Sequence, residues 1–548
     1  MLAPLLLTSL LGCNGTQDGD PLATLDDRYS EISRDLAIAD RDTARNVRNT
    51  EARARKVRHE QERVAFFSDP KVIATIEAAR ESADPAVAAK ADAYWRHAVY
   101  IRSWTEQEKA RETELLAAIE EQRTREALWQ TPDGDVEISL NGRWPHVSQE
   151  ADALTPERRA ELLDAWVDHR TSWLGDDLIA LVQLRNEVAR REGFDSYWDL
   201  AVTHRGLDPA DVRAMLDELE ALVTPIHQAS TERLRAEAET AGLALDFANT
   251  PLLLRQAGLE LKHDEADAWF DTELAEQRMA EAFTDLGISI EGLQIYVGPS
   301  RYTRPGAYGF IIRPPEHGAV VVSNDTRWAM WPYRALTHEI GRATWWRNLQ
   351  PEMASSPVTW EPAAPWYEGY GQVFERMLFE PSFLERYVPE LPAEHRETLR
   401  AYRVQNTVDT LTWYVLATRF EEALYDNPHD LPALCAHAAA REKALRAWPY
   451  DGPKSSDGHL WSSSYQSGLM LNYPGYVQNF LFASATEATL WEVLSAQVGD
   501  PVGNPKVGPW LVENLVHTVN PTDSFSDRLK ALSGDAPRTA ALARYVGR

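Results

Sequence analysis

The chain has 548 residues, 44% of them hydrophobic and 26% charged, which supplies a sizeable core and excludes collagen-like, disulfide-scaffold and wholly disordered classes. Its 84 acidic residues against 56 Lys and Arg give a net charge of −28, and no basic run of any length offsets it, so nucleic acid is a poor partner. Nineteen tryptophans are the compositional peculiarity, suited to the walls of a groove or to helix packing.

The amino-terminal stretch 1–12 is apolar and is followed by Cys13, which closes the run Leu10-Leu11-Gly12-Cys13. It falls short of the ~20 residues that a membrane-crossing helix needs, and reads as a signal-peptide core. The last four residues resemble a bacterial lipobox, although no Lys or Arg precedes Arg28. The expectation is an exported lipoprotein of the cell envelope, at the outer membrane or on the periplasmic side. It would touch the membrane only through a lipid on Cys13, with residues 13–27 as a flexible tether. Cys435 is then the one remaining thiol, and no disulfide is expected.

From Leu25 to Gln130 charge is dense and apolar residues recur at helical spacing, as in Tyr29, Ile32 and Leu36 or Tyr94, Trp95, Ala98 and Val99. This predicts a helical, lid-like lobe over 28–150, without strands. A second long helix is predicted over Pro156–Glu192. A third opens at Asp208-Pro209, with Leu216, Leu219, Leu222, Val223 and Ile226 on one face. Between Gly287 and Asn324 the texture changes: Leu293–Val297, Tyr308–Arg313 and Ala319–Ser323 read as three short strands. Helix then returns to the end. No repeat and no linker interrupts 28–548, which reads as one large domain with 151–548 as its body.

The chemistry centres on the predicted helix Trp331–Trp346. In a His-Glu-x-x-His helix two imidazoles lie one turn apart and hold zinc, with the Glu beside them as general base for a metal-bound water. His338 and Glu339 stand here, but Arg342 occupies the position of the second histidine. About thirty residues on, WYEGYG places Glu368 near a helix start, where it suits a third protein ligand. Farther on, His459, Tyr473 and Tyr476 are candidates to stabilise an oxyanion. No nucleophile elbow, phosphate-cradling glycine loop or glycosidase carboxylate pair competes.

Five stretches carry a resemblance: LVQLRNEVARREGFDSYWDLAV, RPGAYGFIIRPPEHGAVVVSN, ALTHEIGRA, WYEGYGQVFERM and HLWSSSY…NYPGYVQNF. In order and spacing they resemble the helical zinc metallopeptidases (gluzincins) of the angiotensin-converting enzyme and thimet oligopeptidase group, over roughly residues 150–540. The resemblance implies a mainly α, ellipsoidal, two-lobed peptidase fold with a deep central channel and a small β-sheet beside the active-site helix. It implies Zn2+ held by His338 and Glu368, Glu339 as base, and His459 with Tyr473 or Tyr476 at the transition state. Short peptides would pair with the strand at Tyr308, Gly309, Phe310 and Arg313.

Arg342 is the departure, because it stays protonated and puts a cation where zinc would sit. Three readings follow. The chain is a peptidyl-dipeptidase- or oligopeptidase-type enzyme acting on short peptides in the envelope. Or it is a pseudopeptidase that binds peptides in the same channel without zinc, its Arg342 bridging Glu339 and Glu368. Or it is a structural envelope component whose groove is incidental.

Overall fold

The computed structural model describes residues 20–547 apart from 132–133, 142–146, 148–149, 258–267, 300, 305, 313–316, 325–328, 351–352, 354–356, 358–362, 448–466, 521 and 535. Cys13, Arg313 and His459 therefore lie outside the described residues, and so do 1–19 with the expected signal segment.

Side-chain caps set where the first helices start. Helices α1 (Ala23–Arg45), α2 (Thr50–Ser68), α3 (Pro70–Arg80) and α4 (Pro85–Arg102) form the amino-terminal bundle. Asn49, Asp69 and Asp84 each accept a backbone N–H at the start of α2, α3 and α4, and proline fills the first position of the latter two. Leu25, Tyr29, Phe66, Phe67, Ile76 and Tyr94 give this bundle its own core. Helix α5 (Glu106–Thr124) opens on a reciprocal capping box between Thr105 and Glu108.

Two predictions fail in the next segment. Leu128–Gln130 (β1) and Glu137–Ser139 (β2) form an antiparallel hairpin where only helix was expected. Strands of three residues carry too little alternation to be seen in sequence. The single helix expected over 156–192 is two, α6 (Pro156–Thr171) and α7 (Asp176–Arg191). The chain turns between them at Ser172–Gly175, and Gly175 takes the extended N-cap position of α7.

Helices α8 (Tyr197–His204), α9 (Pro209–Ala241), α10 (Thr250–Gln256) and α11 (Ala275–Asp285) follow. Asp208 caps α9 as its sequence suggests, and Leu216, Leu219 and Val223 are buried along one face. Strands β3 (Gln294–Pro299), β4 (Ala307–Ile312) and β5 (His317–Asn324) make the small sheet, in the order β3-β5-β4. β5 is central, parallel to β3 and antiparallel to β4, and its Val320, Val321 and Val322 are fully buried. Alternation along β4 sends Phe310 and Ile312 into a cluster that α1 completes with Ala44, Ala37 and Ile38. Gly309, just before Phe310 and of opposite parity, faces helix α12 (Met330–Arg347). The sheet is thus clamped between the amino-terminal bundle and the helix that carries His338.

Helix α13 (Ala364–Met377) is buried at every position, polar residues included. It lies against α12 on one side and α18 (Val477–Val498) on the other. Glycines allow this. A Cβ on Gly371 would lie 2.9 Å from the His338 carbonyl oxygen of α12, and one on Gly369 would lie 2.8 Å from the Ala483 carbonyl oxygen of α18. Between α13 and α18 come α14 (Pro381–Tyr387), α15 (Ala393–Asp426), α16 (Leu431–Arg446) and α17 (Ser467–Asn472). After α18, α19 (Val507–Leu511) runs into a π-helical turn at Val512–Val516, and α20 (Phe525–Ser533) and α21 (Ala540–Val546) close the chain. The architecture is mainly α, with 71% helix. No helix among the described residues is long and apolar enough to cross a membrane.

Candidate active-site charge cluster

Helical geometry puts His338, Glu339 and Arg342 on adjoining faces of α12, and puts Glu368 and Glu375 two turns apart on the facing side of α13. His338 Nε2 stands 3.2 Å from Glu368 Oε2, and its Nδ1 stands 3.4 Å from Glu375 Oε2. Arg342 reaches across both helices. One terminal nitrogen donates to the two Glu339 oxygens at 3.2 and 3.1 Å, and the other lies 3.3 Å from Glu368 Oε1. Its guanidinium sits 5.1 Å over the Tyr367 ring. Tyr476, just ahead of α18, donates its hydroxyl to Glu368 Oε1 at 2.6 Å.

Glu375 is shared farther out. Its Oε1 accepts from Arg334 at 2.8 Å and from Arg403 at 3.0 Å. The cluster therefore sets the carboxylates of Glu339, Glu368 and Glu375 against three guanidiniums and the His338 ring. Charges this deep persist only when paired, and α13 satisfies that condition along its length.

Titration follows the pairing. Burial pushes the His338 imidazole down, but Glu368 and Glu375, aided by the Glu339 charge, raise it to about 9, so the ring is an imidazolium at neutral pH. Burial pushes the Glu368 carboxyl up, and Arg342, His338 and Tyr476 outweigh it, holding the group below the ordinary carboxylate range. Glu375 is held well below that range in the same way, against its own burial, by Arg334, Arg403 and His338. Arg342 stays charged: burial lowers it, and Glu339 and Glu368 raise it well beyond that loss.

The strand expected to meet peptide lies alongside. A Cβ on Gly309 would come within 2.7 Å of Glu339 Oε2, so the β4 backbone approaches this carboxylate directly. Among the described residues β4 pairs only with β5, and its outer edge is unpaired. Tyr308 and Phe310 sit on the opposite face, towards α1. Tyr473 is 54% exposed, with its ring 6.3 Å from that of Tyr476. Of the two tyrosines considered as oxyanion partners, the structure places Tyr476 at Glu368.

Sequence reasoning missed the groups that hold these side chains. Glu375 lies seven residues past Glu368, and Arg334 four before His338; helical spacing was the available signal, with no motif to mark it. Glu421 and Arg205 gave no signal. Glu421 Oε1 accepts the Gly475 N–H at 3.0 Å, while Arg205 donates to the Pro474 carbonyl at 3.2 Å and lies 4.8 Å over the Tyr476 ring. Gly475 has φ +66°, which glycine adopts without strain. These contacts fix the turn that aims Tyr476. Burial pushes the Glu421 carboxyl up to about 7, against the Gly475 N–H and the charges of Arg205 and Arg185.

The residues present do not fit a divalent metal. The position that a second neutral imidazole would need carries Arg342, whose permanently charged guanidinium donates to Glu339 and lies 3.3 Å from Glu368, and a guanidinium offers no lone pair to a metal. The space between Glu339 and Glu368 is taken by a guanidinium. Among the described residues no group of three or more His, Cys, Asp and Glu side chains is arranged to hold a metal. His338 and Glu368, which the resemblance implies as zinc ligands, form an ion pair with each other.

No family model matches the sequence, and no curated protein matches it. The fold does match solved structures. The carboxypeptidase of Pyrococcus furiosus in an apo-Mg form superposes with a TM-score of 0.64 at 13% identity, covering 96% of this chain and 98% of that one. Metallocarboxypeptidase 1 of Trypanosoma cruzi gives 0.61 at 13%, covering 96% and 99%. PZ peptidase A gives 0.62 at 15%, covering 95% and 90%. At these identities the likeness is one of fold: this chain has the helical architecture of metallopeptidases.

Proposed function

We propose that this chain binds short peptides on a metallopeptidase fold without metal-dependent hydrolysis. One observation carries the reading: the Arg342 guanidinium lies 3.1 Å from Glu339 and 3.3 Å from Glu368. It engages both oxygens of the would-be base and one of the would-be ligand, and it carries a charge that cannot be removed near neutral pH. The arrangement is charge-satisfied as it stands and gains nothing by admitting a second cation.

Peptide capture rests on the strand edge. Among the described residues no strand adds to the outer side of β4, and an extended chain pairing there would gain affinity through main-chain hydrogen bonds. A peptide added there would run past Gly309, within reach of Glu339, Arg342 and the Tyr476 hydroxyl. A lipid on Cys13 would hold this binding face at the cell envelope.

Calorimetric titration with short unstructured peptides, with and without chelator, tests the reading alongside zinc analysis and a fluorogenic peptide assay. The expected result is saturable binding indifferent to chelator, no stoichiometric zinc and no turnover. Turnover that chelator abolishes and zinc restores would establish a zinc peptidase instead. Absence of saturable binding would leave only a structural role.

A further inference from the structure

The sequence shows no basic run, yet folding assembles a basic patch. Arg45 ends α1, Arg48 lies in the connection to α2, and Arg301 lies some 250 residues away between β3 and β4. Two backbone hydrogen bonds lock these segments together: the Val47 N–H to the Tyr302 carbonyl and the Arg304 N–H to the Ala44 carbonyl, each 2.8 Å.

Every one of the three guanidiniums stacks on a tyrosine. Arg45 lies 4.9 Å over the Tyr296 ring, and Arg48 and Arg301 lie 5.1 and 4.7 Å over Tyr302. All three residues are exposed, and none reaches a carboxylate among the described residues. The acids in this region are already shared: Asp40 pairs with Lys56 and Arg304, and Asp42 with Arg41 and Arg55. A surplus of positive charge at one spot stands out in a chain whose net charge is −28. Stacking holds each planar fork in place, so little side-chain entropy remains to be lost when a carboxylate arrives.

The patch is continuous with the strand edge. Arg304 lies 4.9 Å over the Tyr308 ring of β4, and Gly309 at the charge cluster stands seven positions after Tyr302. Even fully extended, seven residues span at most about 25 Å. A peptide paired along β4 would thus carry its own side chains to the patch a few residues from the segment beside Glu339.

We infer that Arg45, Arg48 and Arg301 receive Asp or Glu side chains of the bound peptide, which makes acidic extended peptides the preferred ligand class. This rests on the peptide-binding reading above. A duplex nucleic acid is disfavoured by the charge of the whole body, and a polypeptide is favoured because the patch leads into a strand whose outer edge meets no other strand among the described residues.

The test uses the full chain and two fluorescent peptides of equal length and apolar pattern, one with several Glu residues and the other with Gln in their place. Binding is read by anisotropy at low and at 0.3 M salt. At low salt the Glu peptide should bind about tenfold more tightly, a preference that should fall to within about twofold at the higher salt. The combined Arg45→Gln, Arg48→Gln, Arg301→Gln variant should weaken the Glu peptide about tenfold, to the level of the Gln peptide. Arg111→Gln, an exposed arginine on α5, should keep the preference.

Equal affinity of the parent chain for both peptides, or a preference that survives in the triple variant, overturns the inference and leaves the peptide-binding reading intact. Binding of neither peptide overturns both. Co-sedimentation with phosphatidylglycerol vesicles that depends on the three arginines, without any peptide preference, assigns the patch to a membrane surface and overturns it as well.

Discussion

Arg342→His replaces the fixed cation of the charge cluster with the imidazole that α12 lacks. The guanidinium nitrogens lie 3.1 and 3.3 Å from Glu339 and Glu368, so a divalent ion held by the same oxygens would lie about 4 Å from them. A doubly charged ion at ~4 Å from a single charge, with an effective dielectric near 20, is repelled by about 8 kcal/mol. That repulsion alone amounts to about six orders of magnitude in affinity. Because the long arginine can swing partly aside, the floor for the gain in zinc affinity on substitution is set at about a thousandfold.

A second effect has the opposite sign. Without metal the variant leaves Glu339 and Glu368 short of a cation, and breaking a buried pair costs about 3–5 kcal/mol. Zinc titrations by calorimetry and thermal melts, each with and without chelator, follow both effects. The metal-free variant should melt below the parent chain and recover on adding zinc, which contributes about 2.7 kcal/mol at a hundred times its dissociation constant. The parent chain should show no zinc-dependent shift. Equal zinc affinity in the two chains, or a metal-free variant as stable as the parent, would refute the placement of Arg342 between the two carboxylates.

Two further substitutions probe the frame around the cluster. Gly371→Ala drives a methyl to 2.9 Å from both the His338 carbonyl oxygen and Arg342 Cγ, and should cost about 1–3 kcal/mol in denaturant unfolding; an unchanged midpoint would mean that α12 and α13 do not depend on that close approach. Glu421→Gln keeps an acceptor for the Gly475 N–H and removes a carboxyl that burial pushes up to about 7. Because the folded chain retains a proton that the unfolded chain releases near pH 4.5, parent stability falls as pH rises from about 4.5 to 7 and is level above that. The variant should therefore be little different near pH 5 and more stable by about 3 kcal/mol at pH 8; the same difference at both values would refute the buried acid.

Features confined to a few turns of chain were legible in sequence. The start of α9 followed from Asp208-Pro209, and the strands β3 to β5 from short β-branched runs between Gly and Pro. The mainly helical architecture followed from apolar spacing, as Leu216, Leu219 and Val223 show. Where local pattern was weak, reading failed. The break at Ser172–Gly175 interrupts a helical pattern for only four residues, and β1 and β2 are three residues each.

By itself the sequence determined the mainly helical character, the adjacency of His338, Glu339 and Arg342 on one helix, and the presence of Glu368 on another. Those are consequences of 3.6 residues per turn and need no partner. Only the tertiary structure decided what the charges do. Packing through Gly371 brings α13 close enough for Arg342 to span two carboxylates, and brings in Glu375, Arg334 and Arg403, which share no motif. The same holds for Arg45, Arg48 and Arg301, which become neighbours because a sheet strap hydrogen-bonds to the end of α1. An electrostatic energy depends on distances in space, and chain spacing fixes those only within a single element.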